Sequence, residues 1–330
     1  MAKRTSRTRK VLYFIAFLII AGGLAFAFGP RPAVDTSVDF SEATLPDDLD
    51  QYLAQSEAGF EDLRDGSERR IVWAYPASKA RTPLAIIYIH GFSAGPGETR
   101  PLSDLIASQL GANLYYARLA GHGRSGDAML DGSVHAWVND LAEAVAIGRR
   151  LGERVVIVAT STGASLATWA ATQPDLMRDV VGLVQISPNY GVQAAGSGLL
   201  TMPWAENLVP LIAGQRRSFE PINDLHATLW TPEYPSLALL PMASLVQLAN
   251  GVDAARISVP SLFIFSPQDQ VIRPELAKEK AENWGGPVQT IEVTDSDDPN
   301  NHVIAGDALS PSTTERLAAQ TAEWIAGLQL

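Results

Sequence analysis

One serine of this chain lies in a setting that can make its hydroxyl a nucleophile. Ser161 is the central residue of the pentapeptide ATSTG at 159–163, in which small residues stand at both ends. The run 155–159 is apolar and β-branched, as in a buried parallel strand, and residues 164–171 are good helix formers. A serine at such a strand-to-helix turn projects its hydroxyl from the top of the sheet, beside the N–H groups that begin the helix. We therefore predict that Ser161 is a catalytic nucleophile.

A second explanation of the same pentapeptide is simple helix capping. Serine and threonine are common N-caps, so a strand, a Ser/Thr cluster and a helix need not carry chemistry. Ala159 also stands where the usual motif has glycine, and alanine is tolerated there only if its φ is negative. The pentapeptide alone leaves both explanations open, so the rest of the chain has to decide between them.

Composition limits the classes of protein that fit. The chain has 330 residues, of which 46% are apolar, enough for one large α/β domain or two small ones. It has no cysteine, which excludes disulfides and thiolate metal sites. The formal net charge is −11, and because the first ten residues carry five basic side chains and no acid, the remainder sums to −16. Such an acidic body argues against nucleic acid as a partner.

The N-terminus predicts a membrane protein. Residues 1–10 form a basic tail, and residues 11–28 are uncharged, mostly apolar and long enough to span a bilayer. A basic flank stays in the cytoplasm, so we expect a single-pass signal-anchor in the cell membrane with the rest of the chain on the periplasmic or extracellular side. The alternative is a cleaved signal peptide, because residues 25–27 read AFA, and the protein would then be periplasmic or secreted. Residues 29–65, rich in proline and acids, read as a tether.

The remaining residues, 66–330, read as one α/β domain. Strands and helices alternate between residues 84 and 186, which indicates a mostly parallel central sheet with helices on both faces. The segment at about 188–258 breaks this rhythm and reads as a helical cap insert over the site. Ligands of such sheets bind at the carboxyl ends of the strands. Strands are predicted at 70–75, 84–89, 113–117, 155–159, 180–186, 261–265 and 288–293, and helices at 47–57, 101–110, 134–151, 164–171, from 274 and at 312–328.

Four sequence motifs at predicted strand ends occur in an order known from one protein family. They are HGF at 90–92, GHGRS at 121–125, the turn at Ser161, and then Asp269 and His302 after the last two strands. In this order the chain resembles the α/β-hydrolase fold family of serine hydrolases, with the insert only loosely matched. It is most similar to the bacterial esterase, monoacylglycerol lipase and lysophospholipase branch, which also has a helical cap between the later strands.

The resemblance implies a Ser-Asp-His triad in that chain order. His302 would take the proton of Ser161 and return it to the leaving group, and Asp269 would hold the imidazole tautomer. The backbone N–H groups of Phe92 and Thr162 would form the oxyanion hole.

Other residues of the motifs have supporting places in the family. His90 and His122 lie in glycine-flanked turns, where we expect them to bond loop backbone, and Gly91 and Gly163 belong to the oxyanion turn and the nucleophile turn. The five histidines are dispersed and this chemistry needs no ion, so we expect neither a metal nor another cofactor. His135 and His226 are expected on the surface or in the insert. Three further acids, Asp295, Asp297 and Asp298, read as solvated loop residues rather than as the triad acid.

The predicted function is hydrolysis of carboxylic esters through an acyl-enzyme. The apolar insert and the anchor favour lipid-type or other acyl esters as small-molecule substrates. Peptide or amide hydrolysis on the same fold is the alternative, followed by a non-catalytic binding module. A haloalkane or epoxide hydrolase would need an acidic nucleophile in place of Ser161.

Overall fold

The computed structural model of the chain describes residues 2–328. Met1 of the predicted basic tail, and Gln329 and Leu330 at the end of the predicted domain, lie outside the described residues. In chain order the elements are α1 Ala2–Phe28, α2 Leu49–Glu57, β1 Arg70–Val72, β2 Thr82–Ile89, α3 Leu102–Leu110, β3 Asn113–Tyr116, α4 Val134–Leu151, β4 Gly152–Thr160, α5 Thr162–Ala170, β5 Val180–Ile186, α6 Ala205–Ile212, β6 Arg216–Ser218, α7 Asp224–Leu229, β7 Glu233–Pro235, α8 Leu239–Asn250, β8 Ser261–Phe265, α9 Pro274–Glu282, β9 Val288–Glu292 and α10 Pro311–Ala326.

Seven strands form the central sheet in the order β1-β3-β2-β4-β5-β8-β9. Only β1 runs antiparallel to its neighbour, and every other pair is parallel. This confirms the predicted mostly parallel sheet. Strand β1 is shorter than the predicted 70–75, whereas β5 and β8 have the predicted bounds.

The sheet is covered on both faces because side chains alternate along each strand. On β2, Ile87 faces a core shared with α4, α5 and α8, and Ile86 faces a core shared with α3 and α10. The runs of apolar residues in the central strands are therefore buried on both sides, as a doubly covered parallel sheet requires.

The predicted insert divides into two parts. Helix α8 packs against α5 and buries Met242, Leu245 and Ala249 in the main core, so it is the helix that connects β5 back to β8. We use the term cap for the part before α8, about residues 188–238. This cap is shorter than the predicted insert at 188–258. It also contains the antiparallel pair β6–β7, in which Arg217 lies opposite Tyr234. The sequence predicted only helices in this part, because strands of three residues are too short to show a period.

The segment 29–65, predicted to be a tether, is bonded to the domain at several points along its length. The N–H groups of Asp39 and Phe40 donate to the side-chain oxygen of Asn139, at 2.7 and 2.8 Å. Leu49 and Leu53, on one side of α2, are buried in the core that contains α4. The chain is thus bonded to the domain at Pro30 and Arg31 and again from Ser37 onwards. Composition alone did not reveal these partners, nor the surface on which the apolar residues of α2 pack.

Helix α1 stands apart from this packing. Residues Arg7–Phe28 form a span of 22 residues, in which a window of 18 residues has mean hydropathy 2.5 and is not buried against the rest of the protein. This length and composition suit a membrane span, although a signal sequence has the same properties.

A buried ionic network joins the N-terminal segment to the domain. Glu57 at the end of α2 binds Arg69 at 2.6 Å and Arg118 at 3.0 Å, and Arg69 also binds Glu143 of α4 at 2.7 Å. Arg118 donates in addition to the carbonyl oxygen of His122, at 3.1 Å. The network therefore holds the loop that follows β3 in place.

Replacement of Glu57 by alanine should strongly destabilise the fold. The change leaves two buried guanidinium groups short of a partner, which costs about 3–5 kcal/mol of unfolding free energy. The matched control is Glu275→Ala, which removes the exposed partner of Arg273 and should cost about 0.5 kcal/mol or less. Urea unfolding of the purified protein, followed by tryptophan fluorescence, measures both, and equal losses would contradict the role of the network.

Candidate active site

The strand-to-helix turn predicted at Ser161 is present, and its backbone is strained. Ser161 joins β4 to α5 with φ 51° and ψ −116°, a conformation that a non-glycine residue adopts only where its surroundings impose it. Its N–H donates to the carbonyl oxygen of Ile186 at 2.8 Å, and its own carbonyl oxygen accepts from the N–H groups of Ser165 and Asn189. These bonds on both sides of the turn hold the strained conformation.

The small residues of the pentapeptide have different reasons to be small. A Cβ atom on Gly163 would lie 2.5 Å from the carbonyl oxygens of both Ile89 and His90, so only glycine fits there. Ala159, by contrast, continues β4 in register with Ile89 and Gln185. It is not among the positive-φ residues of the described chain, so alanine causes no strain where the usual motif has glycine.

Three side chains far apart in the sequence form one continuous chain of hydrogen bonds. The imidazole Nε2 of His302 lies 3.1 Å from Ser161 Oγ, and its Nδ1 lies 2.7 Å from Asp269 Oδ2. The other oxygen of Asp269 accepts from the N–H groups of Val271 and Ile272, at 2.8 and 2.9 Å. Asp269 is only 2% exposed, so its bond to the imidazole is shielded from water. The structure thus brings together the three residues that the sequence analysis put forward.

The loop that carries His302 is fixed by another acid. Asp298 Oδ2 accepts from the backbone N–H groups of His302 and Val303, both at 2.9 Å. We expected Asp298 to be solvated together with Asp295 and Asp297, but only those two are exposed, whereas Asp298 is buried. Its binding partners lie four and five residues further along the same tight loop, a local closure that composition does not reveal.

Two opposing effects act on the imidazole of His302. Burial by itself lowers the pKa of His302, because a charged ring is poorly solvated there. The carboxylates of Asp269, Glu98 and Asp298 outweigh burial, and together they hold the pKa of His302 above its ordinary value. Such a ring accepts a proton readily, as a general base must.

The loop after β2 leaves one backbone donor free beside the nucleophile. The N–H of Gly91 donates to Glu98 Oε2 at 2.7 Å. The N–H groups of Phe92 and Thr162 donate to no other group within residues 2–328, and Thr162 is the first residue of α5, where a helix has no internal acceptor. A Cβ on Gly91 would lie 3.1 Å from the Cβ of Ser161, so this loop passes directly against the nucleophile turn.

Glu98 also belongs to the site, although the sequence did not predict it. Its carboxylate is 2% exposed and also accepts from the hydroxyl of Tyr88 at 3.0 Å, while that hydroxyl lies 3.1 Å from Thr160 Oγ1. Glu98 therefore ties the loop at Gly91 to the residue that precedes Ser161. Burial raises the pKa of the Glu98 carboxyl above its ordinary value. The only available signal was that it is the one acid between residues 90 and 101.

The two histidines of the glycine-flanked turns bond loop backbone. His90 Nε2 accepts from the N–H of Leu119 at 3.0 Å, which makes its Nδ1 the donor to the carbonyl oxygen of Gly91. His122 Nδ1 lies 3.1 Å from the carbonyl oxygen of Ala120. Burial holds the pKa of His90 well below its ordinary value and lowers the pKa of His122 to about 4, so both rings stay neutral.

The other two histidines lie in different surroundings. His135 bonds Asp39 on the surface at 2.9 Å, and His226 is buried in α7 of the cap, against Phe219 and Trp230. Over residues 2–328 no group of three His, Cys, Asp or Glu side chains is arranged to hold a metal ion.

Comparison with known proteins points to one large family. Residues 86–310 match the sequence profile of the alpha/beta hydrolase family. The thermostable monoacylglycerol lipase of Bacillus sp. (strain H-257) is 25% identical over 208 residues, which are 61% of this chain and 76% of that enzyme.

Solved structures share the same architecture. One is from the work on LipS and LipT, two metagenome-derived lipolytic enzymes, with a TM-score of 0.66 at 18% identity over 80% of this chain and 99% of that one. Another is a soluble variant of the monoglyceride lipase of Saccharomyces cerevisiae, with a TM-score of 0.58 at 12% identity over 88% of this chain and 98% of that one. At these low sequence identities the similarity is evidence of a shared fold alone.

The titration of His302 should depend on Asp269. In the native protein this imidazole should titrate above pH 6.5, and in Asp269→Asn its pKa should fall, because burial then acts with less opposition. NMR of protein labelled with ¹³C-histidine measures the pKa, and the resonance is assigned by its loss in His302→Gln. The internal control is His122, which should titrate near pH 4 in both proteins. An unchanged pKa of His302 in Asp269→Asn would contradict the coupling.

Proposed function

The chain belongs to the alpha/beta hydrolase family, and we propose that it is a serine hydrolase that cleaves carboxylic esters through an acyl-enzyme. The observation that carries the proposal is the chain of hydrogen bonds from Asp269 through His302 to Ser161, at 2.7 and 3.1 Å. A binding module would not require such a complete chain of hydrogen bonds, so the non-catalytic alternative is the weaker one.

In the proposed mechanism each member of the relay has one role. Ser161 Oγ attacks the ester carbonyl carbon while Nε2 of His302 takes its proton. The imidazolium then gives that proton to the departing alcohol oxygen, which leaves the acyl group on Ser161. A water molecule, deprotonated by the same nitrogen, releases the acid and restores the enzyme. Asp269 keeps the proton on Nδ1 and stabilises the imidazolium in both halves of the reaction.

The negative oxygen of the tetrahedral intermediate needs donors that are already in place. We assign this role to the N–H groups of Phe92 and Thr162, because both are free and both adjoin Ser161 in the fold. The N–H of Gly91 is excluded from the role, since Glu98 accepts from it.

Acyl esters of lipid type are the substrates that we favour. The Bacillus relative is a monoacylglycerol lipase by name. On the cap side of the loop, the ring of Phe92 packs edge-on against Tyr234 at 5.4 Å, in a cluster with Met129. An apolar cluster beside the nucleophile loop favours acyl chains over polar substrates. An aminopeptidase would instead need an acid free to bind the substrate's N-terminal amine, and Glu98 already binds Gly91 and Tyr88.

We further propose that α1 remains on the mature protein as a membrane anchor, with the hydrolase domain on the exported side. The basic tail at 1–10 and the apolar span Arg7–Phe28 support this topology. Cleavage after the AFA sequence at 25–27 is the alternative, and N-terminal sequencing of the mature protein separates the two.

A fluorophosphonate should label the protein at Ser161, and Ser161→Ala should abolish labelling. His302→Ala should lower ester turnover on the order of 10⁴-fold, because Ser161 then has no base. The control is Ser125→Ala, which changes an exposed serine bonded to Asp62 and should keep both labelling and turnover. Mass spectrometry of the labelled peptide and hydrolysis of p-nitrophenyl esters measure the two effects. A folded protein that resists labelling would defeat the proposal.

Glu98 should matter as a positioning residue. Glu98→Ala removes the acceptor of the Gly91 N–H and should lower kcat about 10²-fold with little change in KM, since the loop that holds the oxyanion donor is freed. Glu98→Gln keeps an oxygen acceptor and should recover most of that loss. If alanine and glutamine have equal effects on kcat, the hydrogen bond to Gly91 is not what positions the loop.

A further inference from the structure

The cap has an apolar helix face that no described part of the chain covers. On α6, Ala205 and Val209 are buried against Leu240 of α8. Leu208, Leu211 and Ile212 of the same helix lie outside this contact, beside the exposed polar residues Glu206 and Asn207. Within residues 2–328 these side chains remain exposed: Leu208 is 39% exposed, Leu211 78% and Ile212 62%, and Met202 and Trp204 beside them are also partly exposed.

The start of this face is bonded to the end of the apolar helix α1. The indole N–H of Trp204 donates to the carbonyl oxygen of Ala25 at 2.9 Å, and the backbone N–H of Trp204 donates to that of Pro30 at 2.7 Å. Arg31 donates to the carbonyl oxygen of Thr201 at 3.0 Å. The carbonyl of Ala25 belongs to the last turn of α1, where carbonyls lack an intrahelical donor. Trp204 thus satisfies a carbonyl oxygen at the end of α1 and attaches the cap insert to that end of the helix.

The position of Trp204 restricts what can cover the outer face. If α1 spans a bilayer, its last turn lies at the boundary between hydrocarbon and headgroups, which is where tryptophan side chains concentrate in membrane proteins. Helix α6 rises about 1.5 Å per residue, so Leu211 and Ile212 lie within about 12 Å of Trp204 along the helix. The outer face is therefore continuous with the end of the apolar span.

We propose that the outer face of α6, defined by Met202, Trp204, Leu208, Leu211 and Ile212, is a membrane-docking surface whose partner is the lipid bilayer that holds α1. The proposal rests on the retention of α1 as an anchor, and it adds that the cap itself lies in the membrane interface. An apolar helix face at that depth lowers the free energy of the protein by burying its side chains among the acyl chains. The cap then stands beside the membrane-borne acyl esters that we propose as substrates.

The absence of cysteine from the sequence allows a direct test on the full-length protein. Leu211→Cys carries an environment-sensitive NBD label, and its exposed side chain makes the change compatible with folding. The matched control is Asp175→Cys, because residue 175 is exposed just before the amino end of β5, whereas the cap follows the carboxyl end of that strand. Both proteins are reconstituted into vesicles of three parts phosphatidylcholine to one part phosphatidylglycerol, with or without lipids that carry a nitroxide on the acyl chain.

The label at position 211 should emit at shorter wavelength and lose at least half of its fluorescence to the nitroxide lipids, while the label at 175 should lose almost none. Equal, weak quenching at both positions would overturn the proposal. So would a shielded label at 211 that ignores the nitroxide and depends on protein concentration, which would mean that a second copy covers the face. So would a mature N-terminus near residue 28.

A second measurement separates this proposal from the proposed chemistry. The double variant Leu211→Glu, Ile212→Glu should hydrolyse a monoacylglycerol carried in vesicles at least fivefold more slowly, and a soluble short-chain ester at the native rate. Equal rates on the vesicle substrate would contradict docking. If the native protein hydrolyses neither ester while the label at 211 is still quenched, the proposed ester hydrolysis fails and the docking surface stands.

Discussion

The hydrogen bond between Asp269 and the imidazole of His302 is the interaction on which the site depends. An imidazole on a loop can rotate freely unless both the ring and the backbone beneath it are held. Here Asp269 holds the ring, and Asp298 holds the backbone N–H of His302. Asp269 is held in turn by two backbone N–H groups. Every atom that orients the ring is therefore fixed by a buried bond, so that Nε2 stays within reach of Ser161.

The parallel sheet makes this arrangement possible. Ser161 follows β4, Asp269 follows β8 and His302 follows β9, and the carboxyl ends of parallel strands meet at one edge. The strain at Ser161 is sustained because its N–H is bonded to Ile186 of the neighbouring strand. It is sustained also because Gly163 lets α5 approach the backbone after β2. A well-packed core beneath the edge holds the strained turn above it.

The cap connects this edge to the N-terminal helix. At one end Trp204 bonds the last turn of α1, and at the other the N–H of Thr231 donates to the carbonyl oxygen of Ser93 at 2.7 Å. Ser93 directly follows Phe92, whose N–H we assign to the oxyanion hole. Contacts made at the Trp204 end of the cap are thus linked through one segment to the loop beside the nucleophile. Glu98 holds the same loop from below, through Gly91.

The sequence by itself determined the order of the strands of the central sheet and of the helices that cover it, because buried strands and amphipathic helices have periods that neighbouring residues display. It also put forward Ser161, Asp269 and His302, since each follows a strand in the chain order of a known family. Only the tertiary structure decided that these side chains lie within hydrogen-bond distance, and only it revealed Glu98 and the contact of Trp204 with α1. The physical reason is that the partner of a buried carboxylate or of a helix end comes from a distant segment, and no local pattern records which segment the fold brings there.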